Sequence, residues 1–393
     1  MKHIFFIYTA LIFAGYLPVQ AQAPIVADHT VATLGDLQNI PETYITAAKA
    51  NLHIAYEHSS HGSQITEGMT GLAAWKGSTY AFSKGGGSGT LDFRDHDIEG
   101  WADLGNLWEP KELDFEAWEA VTRTYLAKTP GINVIMWAWC SQLSYDATEA
   151  NVNTYLSLMS GLEEDYPNIK FIYMTGHVDG RPPNTNLYQR NAQIRSYCIA
   201  NNKILFDFGD IESYDPDGNF YAEKLVTDCC NYDYDGSGET ETDGGDPGLP
   251  TGGDRNWALD WQESHTQNVD WYDCEASHTY PLNANMKAFA AWWLWARLAG
   301  WNGENVSIRK PNLSANNQPF LYFRDSDRAY IELNDEAGAY EYIAIYDTQG
   351  KRMLSESLDN NIYKINLSDF PSGIYIVDLL GNPKRYNLKV SIP

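Results

Sequence analysis

The sequence has few positive charges and lacks long uncharged apolar runs, and each scarcity excludes a class of protein. Its 27 basic residues stand against 52 acidic ones, and the net charge of −25 repels phosphate backbones and anionic membrane surfaces. The main apolar run, residues 4–17, is too short to cross a bilayer, and no later segment supplies about 18 such residues in a row. We therefore expect neither a nucleic-acid partner nor a membrane span.

The N-terminus has the pattern of a secretory signal peptide. Lys2 and His3 precede the apolar run, and the small residues Ala21 and Ala23 follow it at the distance that signal peptidase requires. We expect cleavage after one of these alanines, which makes residues 1–23 the signal peptide. The mature chain then reaches the periplasm.

Cysteine is also scarce, and all five cysteines lie beyond the predicted signal peptide, in an oxidising compartment. At least one must stay unpaired. Because sequence neighbours rarely bridge each other without strain, we expect a disulfide between Cys274 and either Cys229 or Cys230. A structural role is favoured over a catalytic one, because no thiol-protease pattern surrounds these residues.

Short apolar runs alternate with helical periodicity from Asn51 onward, which predicts a three-layer α/β/α domain with a mostly parallel, flavodoxin-like sheet. The strands are predicted at residues 52–56, 134–139, 170–175 and 204–208, and the clearest helices at residues 148–165, 187–201 and 283–301. The last helix is apolar nearly all round and should be buried against the sheet. Ligands of such folds bind at the carboxyl ends of the strands, where polar clusters occur at His58 to His61, Cys140 to Gln142, and His177 to Asp179.

Two stretches interrupt this pattern and are predicted to be long loops bordering the site. Residues 80–97 contain a glycine run at positions 85–89, and residues 215–260 are rich in Asp, Gly and Pro. Residues 306–319 are typical of a linker. The predicted organisation is a signal peptide (1–23), an α/β domain (24–305), the linker, and a C-terminal domain (320–393).

The C-terminal domain shows alternating strand patterns with turn signals, which predicts a small all-β sandwich. The turn at residues 346–351 and the segment at residues 367–377 resemble the C-terminal sorting domain of the type IX (Por) secretion system. This resemblance implies the type IX machinery as a partner, passage across the outer membrane, and a secreted or surface-attached product. A carbohydrate-binding β-sandwich is the alternative.

A serine at the end of the first strand and a histidine before the last helix form the main candidate for chemistry. Ser60 lies at a predicted strand-to-helix turn, and Glu275 precedes His278 by three residues. This order resembles the SGNH (GDSL-like) hydrolase superfamily, which implies Ser60 as nucleophile, His278 as base and Glu275 as the orienting acid. The family has aspartate where Glu275 stands and Gly-Asp where residues 58 and 59 stand. The resemblance implies an ester hydrolase that needs no cofactor.

Further residues are assigned to the same predicted site. Gln142 and a backbone N–H of Gly86 are expected to hold the oxyanion, and His58, His61, His177 and Asp179 to contact substrate. The histidines leave an alternative open, since the imidazoles of His58, His61, His177 and His278 and the carboxylate of Asp179 could hold a catalytic zinc ion.

A non-catalytic alternative is a surface glycan-binding protein that stacks sugars on loop tryptophans, with candidates at Trp75, Trp101, Trp108, Trp257, Trp261 and Trp271. Separately, an EF-hand-like spacing of oxygen donors predicts a structural calcium ion without the bidentate glutamate of a true EF-hand, at Asp233, Asp235, Ser237, Glu239 and Glu241. The sequence favours a secreted SGNH-like serine esterase that deacylates a polysaccharide or a related small ester.

Overall fold

The computed structural model describes residues 24–98, 115–145 and 147–303 and, further on, residues 320–324, 329–333, 342–347, 351–357, 364–367, 370–371, 373–380 and 385–392. The predicted signal peptide and linker lie outside the described residues. The chain divides into two compact units, Met1–Gly303 and Glu304–Pro393.

The first unit is built on a seven-stranded sheet in the order β1-β7-β6-β5-β2-β4-β3, and every neighbouring pair is parallel. The strands are β1 (Ile25–Ala27), β2 (His53–Glu57), β3 (Phe82–Ser83), β4 (Leu91–Asp95), β5 (Val134–Trp137), β6 (Lys170–Met174) and β7 (Ile204–Phe206). The central strands are buried because their side chains are apolar on both faces. The predicted α/β fold class is confirmed.

Helices flank this sheet in two groups, one containing α1, α2, α3 and α10 and the other α4 to α7. The helices are α1 (Leu34–Gln38), α2 (Glu42–Asn51), α3 (Ser63–Lys76), α4 (Phe115–Lys128), α5 (Gln142–Tyr145), α6 (Glu149–Asp165), α7 (Asn186–Ala200), α8 (Phe208–Ile211), α9 (Trp257–Ser264) and α10 (Pro281–Leu298). Helix α10 is buried along nearly its whole length, as its composition predicts. It packs against α1, α2, α3 and β1, which makes it the centre of one layer.

The predicted loop at residues 80–97 is wrong, because it contains β3 and β4 at the edge of the sheet. The glycine run at residues 85–89 forms the turn between the two strands, and all five of its residues, four of them glycines, have a positive φ. Leu91 and Phe93 are buried and anchor β4. The glycines dominate the local composition and mask this short strand in the sequence.

The strand order creates a crevice between β2 and β5. After β2 the chain builds β3 and β4 on one side, and after β5 it builds β6 and β7 on the other. Such a switch point opens a crevice outside the carboxyl ends of the two strands, where open α/β sheets bind their ligands. The segments after β2 and β5 carry Ser60 and Cys140, so the topology places the predicted polar clusters at this crevice.

The second unit contains two small antiparallel sheets, ordered β10-β11-β14 and β13-β12-β15-β16. Its strands are β10 (Phe320–Arg324), β11 (Ala329–Leu333), β12 (Tyr342–Asp347), β13 (Arg352–Ser357), β14 (Lys364–Asn366), β15 (Gly373–Leu380) and β16 (Arg385–Ile392). The remaining short strands, β8 (Asn231–Tyr232) and β9 (Arg255–Asn256), pair within the first unit.

The expected disulfide is not formed, since all five cysteines carry free thiols. The Cys230 sulfur is buried beside Oγ1 of Thr279 at 3.4 Å, whereas the Cys274 sulfur lies near Nδ2 of Asn285 at 3.5 Å. Burial raises the pKa of both thiols, with that of Cys274 reaching about 12. These two cysteines act as small apolar core residues.

Candidate active site

Ser60 is presented at a tight turn directly after β2. The 3-10 turn Ser60–Gly62 leads straight into α3, and Ser60 has φ of 30°, a conformation that serine rarely adopts. Local strain of this kind concentrates at functional sites. The Ser60 side chain is exposed, and its Oγ lies 2.8 Å from Nε2 of His278. The turn therefore holds a hydroxyl at the crevice within hydrogen-bonding distance of a base.

His278 lies in the loop before α10 and also has a positive φ, of 61°. Its Nδ1 lies 3.0 Å from Oδ1 of Asp246 and 2.9 Å from Oδ2. An ionised carboxylate only accepts hydrogen bonds, so Nδ1 carries the proton and Nε2 presents a lone pair to Ser60. Ser60, His278 and Asp246 thus form a nucleophile, base and acid chain.

Asp246 occupies the place that the sequence assigned to Glu275. Glu275 is exposed, and the carboxylate beside Nδ1 of His278 comes instead from the long 215–260 segment. The assignment of Glu275 as the orienting acid is corrected by this contact. Asp246 lies 32 positions before His278 in the sequence, so no local spacing identifies it.

Helix α3 holds the loop that carries His278. Glu67 accepts hydrogen bonds from both the backbone N–H of Ser277 at 2.7 Å and its hydroxyl at 2.6 Å. Nε2 of Gln64 donates to the carbonyl of Ser277 at 2.6 Å. Because α3 begins immediately after the Ser60 turn, a single helix positions both the hydroxyl and the residue next to the base.

A fully buried lysine extends this support. Nζ of Lys287 donates to Gln64 at 2.5 Å and to Glu212 at 2.9 Å, with Asn283 as its third acceptor at 2.9 Å. The other oxygen of Glu212 accepts from the N–H of Val178 at 2.8 Å. Burial lowers the pKa of Lys287, against the opposing effect of Glu212. The network joins the loop before α10 to the segment after β6.

His61 follows Ser60 and is enclosed by other rings. Its imidazole stacks on that of His177 with centroids 3.7 Å apart and lies 4.5 Å from that of His278. Its Nε2 lies 2.8 Å from Oδ2 of Asp228. Burial lowers the pKa of His61 to about 4, and the neighbouring His177 adds to this effect. His61 is therefore neutral at physiological pH.

Cys140 approaches the other side of His61. Its sulfur lies 3.7 Å from Nδ1 of His61, and a ring nitrogen of His177 completes a group of atoms within 4.8 Å of one another. His177 is 5% exposed, with Nδ1 at 2.7 Å from the Val178 carbonyl and Nε2 buried without a hydrogen-bond partner among the described residues. The structure thus brings together His61 and His177, as predicted for a shared site, and adds Cys140.

Gln142 and Gly86, the two residues predicted to hold the oxyanion, lie in different surroundings. Oε1 of Gln142 accepts from the Cys140 N–H at 2.8 Å, which fixes the orientation of the amide and leaves its N–H groups as donors. Gly86 packs against Asp92, which pairs with His53 at the start of β2, whereas Ser60 follows the opposite end of that strand. Gly86 is therefore near the start of β2, at the opposite end of the strand from Ser60.

Two predicted substrate contacts have other partners. Nε2 of His58 lies 2.7 Å from Asp95 at the end of β4, and the ring of His58 lies 4.1 Å from that of His96. Asp179 has a nearly buried carboxylate whose Oδ2 lies 3.5 Å from Nε of Arg181. Neither contact connects to Ser60 directly.

The predicted calcium loop contains a carboxylate cluster with an unexpected member. Carboxylate oxygens of Asp233, Asp235 and Asp254 lie within 4.8 Å of one another, and Asp254 also accepts from the N–H of Glu241 at 2.6 Å. The predicted donors Ser237 and Glu239 contact each other, with Oγ of Ser237 donating to the Glu239 carbonyl at 3.0 Å. The candidate calcium site therefore consists of two of the predicted residues, Asp233 and Asp235, together with Asp254.

Among the candidate stacking tryptophans that the structure describes, Trp257 is buried, and Trp75, Trp261 and Trp271 are partly exposed. Trp257 is not in a loop but begins α9, where it is 1% exposed. Trp261 stacks on His265 with centroids 3.5 Å apart, and Trp75 packs beside Tyr272 at 5.2 Å. Trp101 and Trp108 lie outside the described residues.

Residues 325–392 match the family described as the secretion system C-terminal sorting domain. This match agrees with the sorting domain predicted for residues 320–393 and points to a secreted or surface-attached protein that interacts with the type IX secretion machinery. In the part of the chain that the structure describes, no helix is both long and apolar enough to cross a membrane. No curated protein matches the chain.

The comparison with solved structures gives only weak similarities. A DUF3244 family protein with an immunoglobulin-like β-sandwich from Bacteroides vulgatus is 17% identical, covers 20% of this chain and 87% of its own, and has a TM-score of 0.18. An endo-β-1,4-mannanase from Thermotoga petrophila is 9% identical over 86% of this chain and 64% of its own, with a TM-score of 0.21. A Cellulomonas fimi endo-β-1,4-mannanase double mutant is 11% identical over 84% and 58%, with a TM-score of 0.20. Such low scores carry no argument about activity.

Proposed function

We propose that this protein is a secreted SGNH-like serine hydrolase, an esterase that removes acyl groups from a polysaccharide or a related ester. The observation that carries the proposal is the 2.8 Å contact between Oγ of Ser60 and Nε2 of His278, with Asp246 at the other ring nitrogen. A nucleophile and a base within hydrogen-bonding distance, the base oriented by a third group, are the signature of covalent catalysis.

In the proposed reaction, His278 takes the Ser60 proton as the hydroxyl oxygen attacks the ester carbonyl. The carboxylate of Asp246 stabilises the imidazolium that forms. His278 then gives the proton to the departing alcohol, which leaves an acyl group on Ser60. A water molecule, activated by the same base, releases the acid and restores the hydroxyl.

The oxyanion requires donors beside Ser60. The first N–H groups of a helix have no acceptor within that helix, and the turn Ser60–Gly62 begins such a helical segment next to the hydroxyl. We assign the backbone N–H of Ser60 and of His61 to this role, with Nε2 of Gln142 as a side-chain donor. These fixed dipoles would stabilise the negative charge that develops in the transition state.

The substrate class follows from where the protein is sent and from its surface charge. The match to a sorting domain points to a secreted or surface-attached protein, and acylated polysaccharides are one class of ester that such a protein can meet. The net charge of −25 disfavours strongly anionic substrates. We therefore propose a neutral acylated glycan or a small ester, with no cofactor required for turnover.

A metal-dependent hydrolase is the second candidate, favoured by the cluster of His61, Cys140 and His177. A zinc site needs three such donors and an open position. However, the rings of His61 and His177 lie parallel, with an interplanar angle of 3°, so their in-plane lone pairs do not converge on one point. A glycan-binding protein remains the non-catalytic alternative, and the burial of Trp257 weakens it.

The purified protein should be tested on acetylated glycans and short nitrophenyl esters, with and without a chelator. The serine mechanism predicts turnover that the chelator leaves unchanged and that a fluorophosphonate abolishes by labelling Ser60. Loss of turnover with the chelator and recovery with zinc would support the metal mechanism instead. Absence of turnover on every ester would favour glycan binding.

A further inference from the structure

A second chain of nucleophile, base and acid lies next to the first. The Cys140 sulfur is 3.7 Å from Nδ1 of His61, and Nε2 of His61 is 2.8 Å from Oδ2 of Asp228. Asp228 itself is held by the N–H of Cys229, which donates to Oδ1 at 2.9 Å. Three groups of the types found in thiol catalysis are therefore aligned in the order that proton transfer requires.

The carboxylate sets the tautomer of His61. An ionised Asp228 accepts the Nε2 proton, so Nδ1 carries the lone pair and faces the thiol. Burial raises the pKa of Asp228, but the hydrogen bond and charge of His61, the charge of His177 and the N–H of Cys229 together keep this pKa below its usual range. Asp228 is therefore ionised at neutral pH, and Nδ1 is free to accept the proton of the Cys140 thiol.

A second imidazole supports the same thiol. His177 is 5% exposed, and its Nδ1–H donates to the Val178 carbonyl, which leaves the lone pair of Nε2 unpartnered among the described residues. One ring nitrogen of His177 lies within 4.8 Å of both the sulfur and a nitrogen of His61. A buried ring nitrogen without a hydrogen-bond partner, in an imidazole that belongs to this cluster, calls for an explanation beyond packing.

The position of Cys140 gives it access to the crevice. It follows β5 at the switch point between β2 and β5, and its side chain is partly exposed. Cys198, Cys229 and Cys230 are buried instead, and Cys274 is partly exposed but contacts Pro281 and Asn285 rather than an imidazole within the described part of the chain. Cys140 thus differs from the other four cysteines in combining exposure with a base.

We propose that Cys140, His61 and Asp228 form a second catalytic arrangement, in which the Cys140 thiol attacks activated acyl groups that enter the crevice. The thiol proton moves to Nδ1 of His61 while the sulfur forms a bond to the acyl carbon. The bond from that carbon to the leaving oxygen breaks, and the leaving group departs with the proton from His61 or as an anion. The product is a thioester on Cys140, and no oxidant or reductant is required.

The test uses the full chain with Ser60→Ala, which removes the serine nucleophile, and p-nitrophenyl acetate as the acyl donor. Intact mass and peptide mapping should find one acetyl group on Cys140, and neutral hydroxylamine should remove it as it removes thioesters. His61→Asn should slow this acetylation by about tenfold, less than for a base with a pKa near 7, because the lowered pKa of His61 makes it a weak base. Asp228→Asn should slow it by about tenfold, because the tautomer is no longer fixed.

Cys274→Ser is the matched control, since it removes the other partly exposed thiol and should leave the acetylation rate unchanged. Circular dichroism verifies that each variant is folded, and the smaller change Asp228→Asn keeps the test valid if His61→Asn does not fold. Equal acetylation of Cys140 and Cys274, or a Cys140 rate that neither His61→Asn nor Asp228→Asn alters, would overturn the proposal. Because the serine is absent, these results are independent of the proposed esterase mechanism.

Discussion

Asp246 and His278 are in contact although 32 residues separate them, with Oδ1 of the aspartate 3.0 Å from Nδ1 of the histidine. The aspartate belongs to the segment rich in Asp, Gly and Pro, and its side chain is 63% exposed. The contact gives an irregular surface segment a specific part in the candidate site. It also distinguishes this site from the arrangement in which acid and base share one short motif.

Asp246→Asn should reduce ester turnover by about 10- to 10³-fold, while Glu275→Gln should leave it within about twofold of the original. The amide can donate to Nδ1 and so favours the wrong tautomer, whereas Glu275 does not contact the base. Turnover of nitrophenyl acetate by the two purified variants measures the difference. Equal losses, or a larger loss for Glu275→Gln, would restore the acid that the sequence suggested.

The buried pair Lys287 and Glu212 should be costly to break. Lys287→Met should lower the free energy of unfolding by about 3 to 5 kcal/mol, since it leaves Glu212 buried without its cation. The double variant Lys287→Met with Glu212→Gln should recover much of this loss, because the glutamine still accepts from Val178. Urea denaturation of both proteins tests the prediction, and a double variant less stable than the single one would contradict it.

The pH dependence of stability should contain a component from His61. Its pKa is about 4 in the folded protein and near 6.5 when unfolded. The unfolded state therefore takes up a proton that the folded state does not, and stability falls as the pH drops from about 6.5 to about 4. The loss is on the order of 3 kcal/mol. Urea titrations at pH 7 and pH 4.5 should show a smaller decrease for His61→Gln, and an unchanged decrease would refute the assignment.

Most of the sheet and the helices could be predicted because buried elements show up in the sequence as apolar runs or as regularly spaced apolar residues. The apolar runs at residues 134–139 and 170–175 contain β5 and β6, and the apolar positions spaced along residues 148–165 give α6 after its capping residue Thr148. Strands β3 and β4 were not predicted because the glycine run between them resembles a loop. The local pattern of apolar residues therefore predicts the central strands and helices but not the short strands at the edge of the sheet.

The candidate site could be predicted only where function depends on a strand end or a helix start. Ser60 and His278 occupy such positions, whereas Asp246 and Asp228 come from the long segment between α8 and α10. Their contacts with histidines depend on how that segment folds back over the crevice, which no local periodicity encodes. The contact between Cys140 and His61 could not be predicted either, because the two residues are 79 positions apart in the sequence.

The structural calcium ion remains a prediction, now centred on Asp233, Asp235 and Asp254. If it binds, calcium at a hundredfold excess over its dissociation constant should stabilise the fold by about 2.7 kcal/mol and raise the melting temperature. Asp254→Asn should remove this increase, and Glu239→Gln, outside the carboxylate cluster, should preserve it. The same melting temperature in calcium and in chelator would exclude the ion.

The measurement that tests the account most directly is ester turnover by folded Ser60→Ala, His278→Ala and the corresponding double variant. The two residues act as one unit through their 2.8 Å contact, so each single change should reduce turnover by about 10⁴-fold or more, and the double change should be scarcely worse. Circular dichroism serves as the control for folding. If Ser60→Ala keeps full esterase activity, Ser60 is not the nucleophile and the proposed mechanism is wrong.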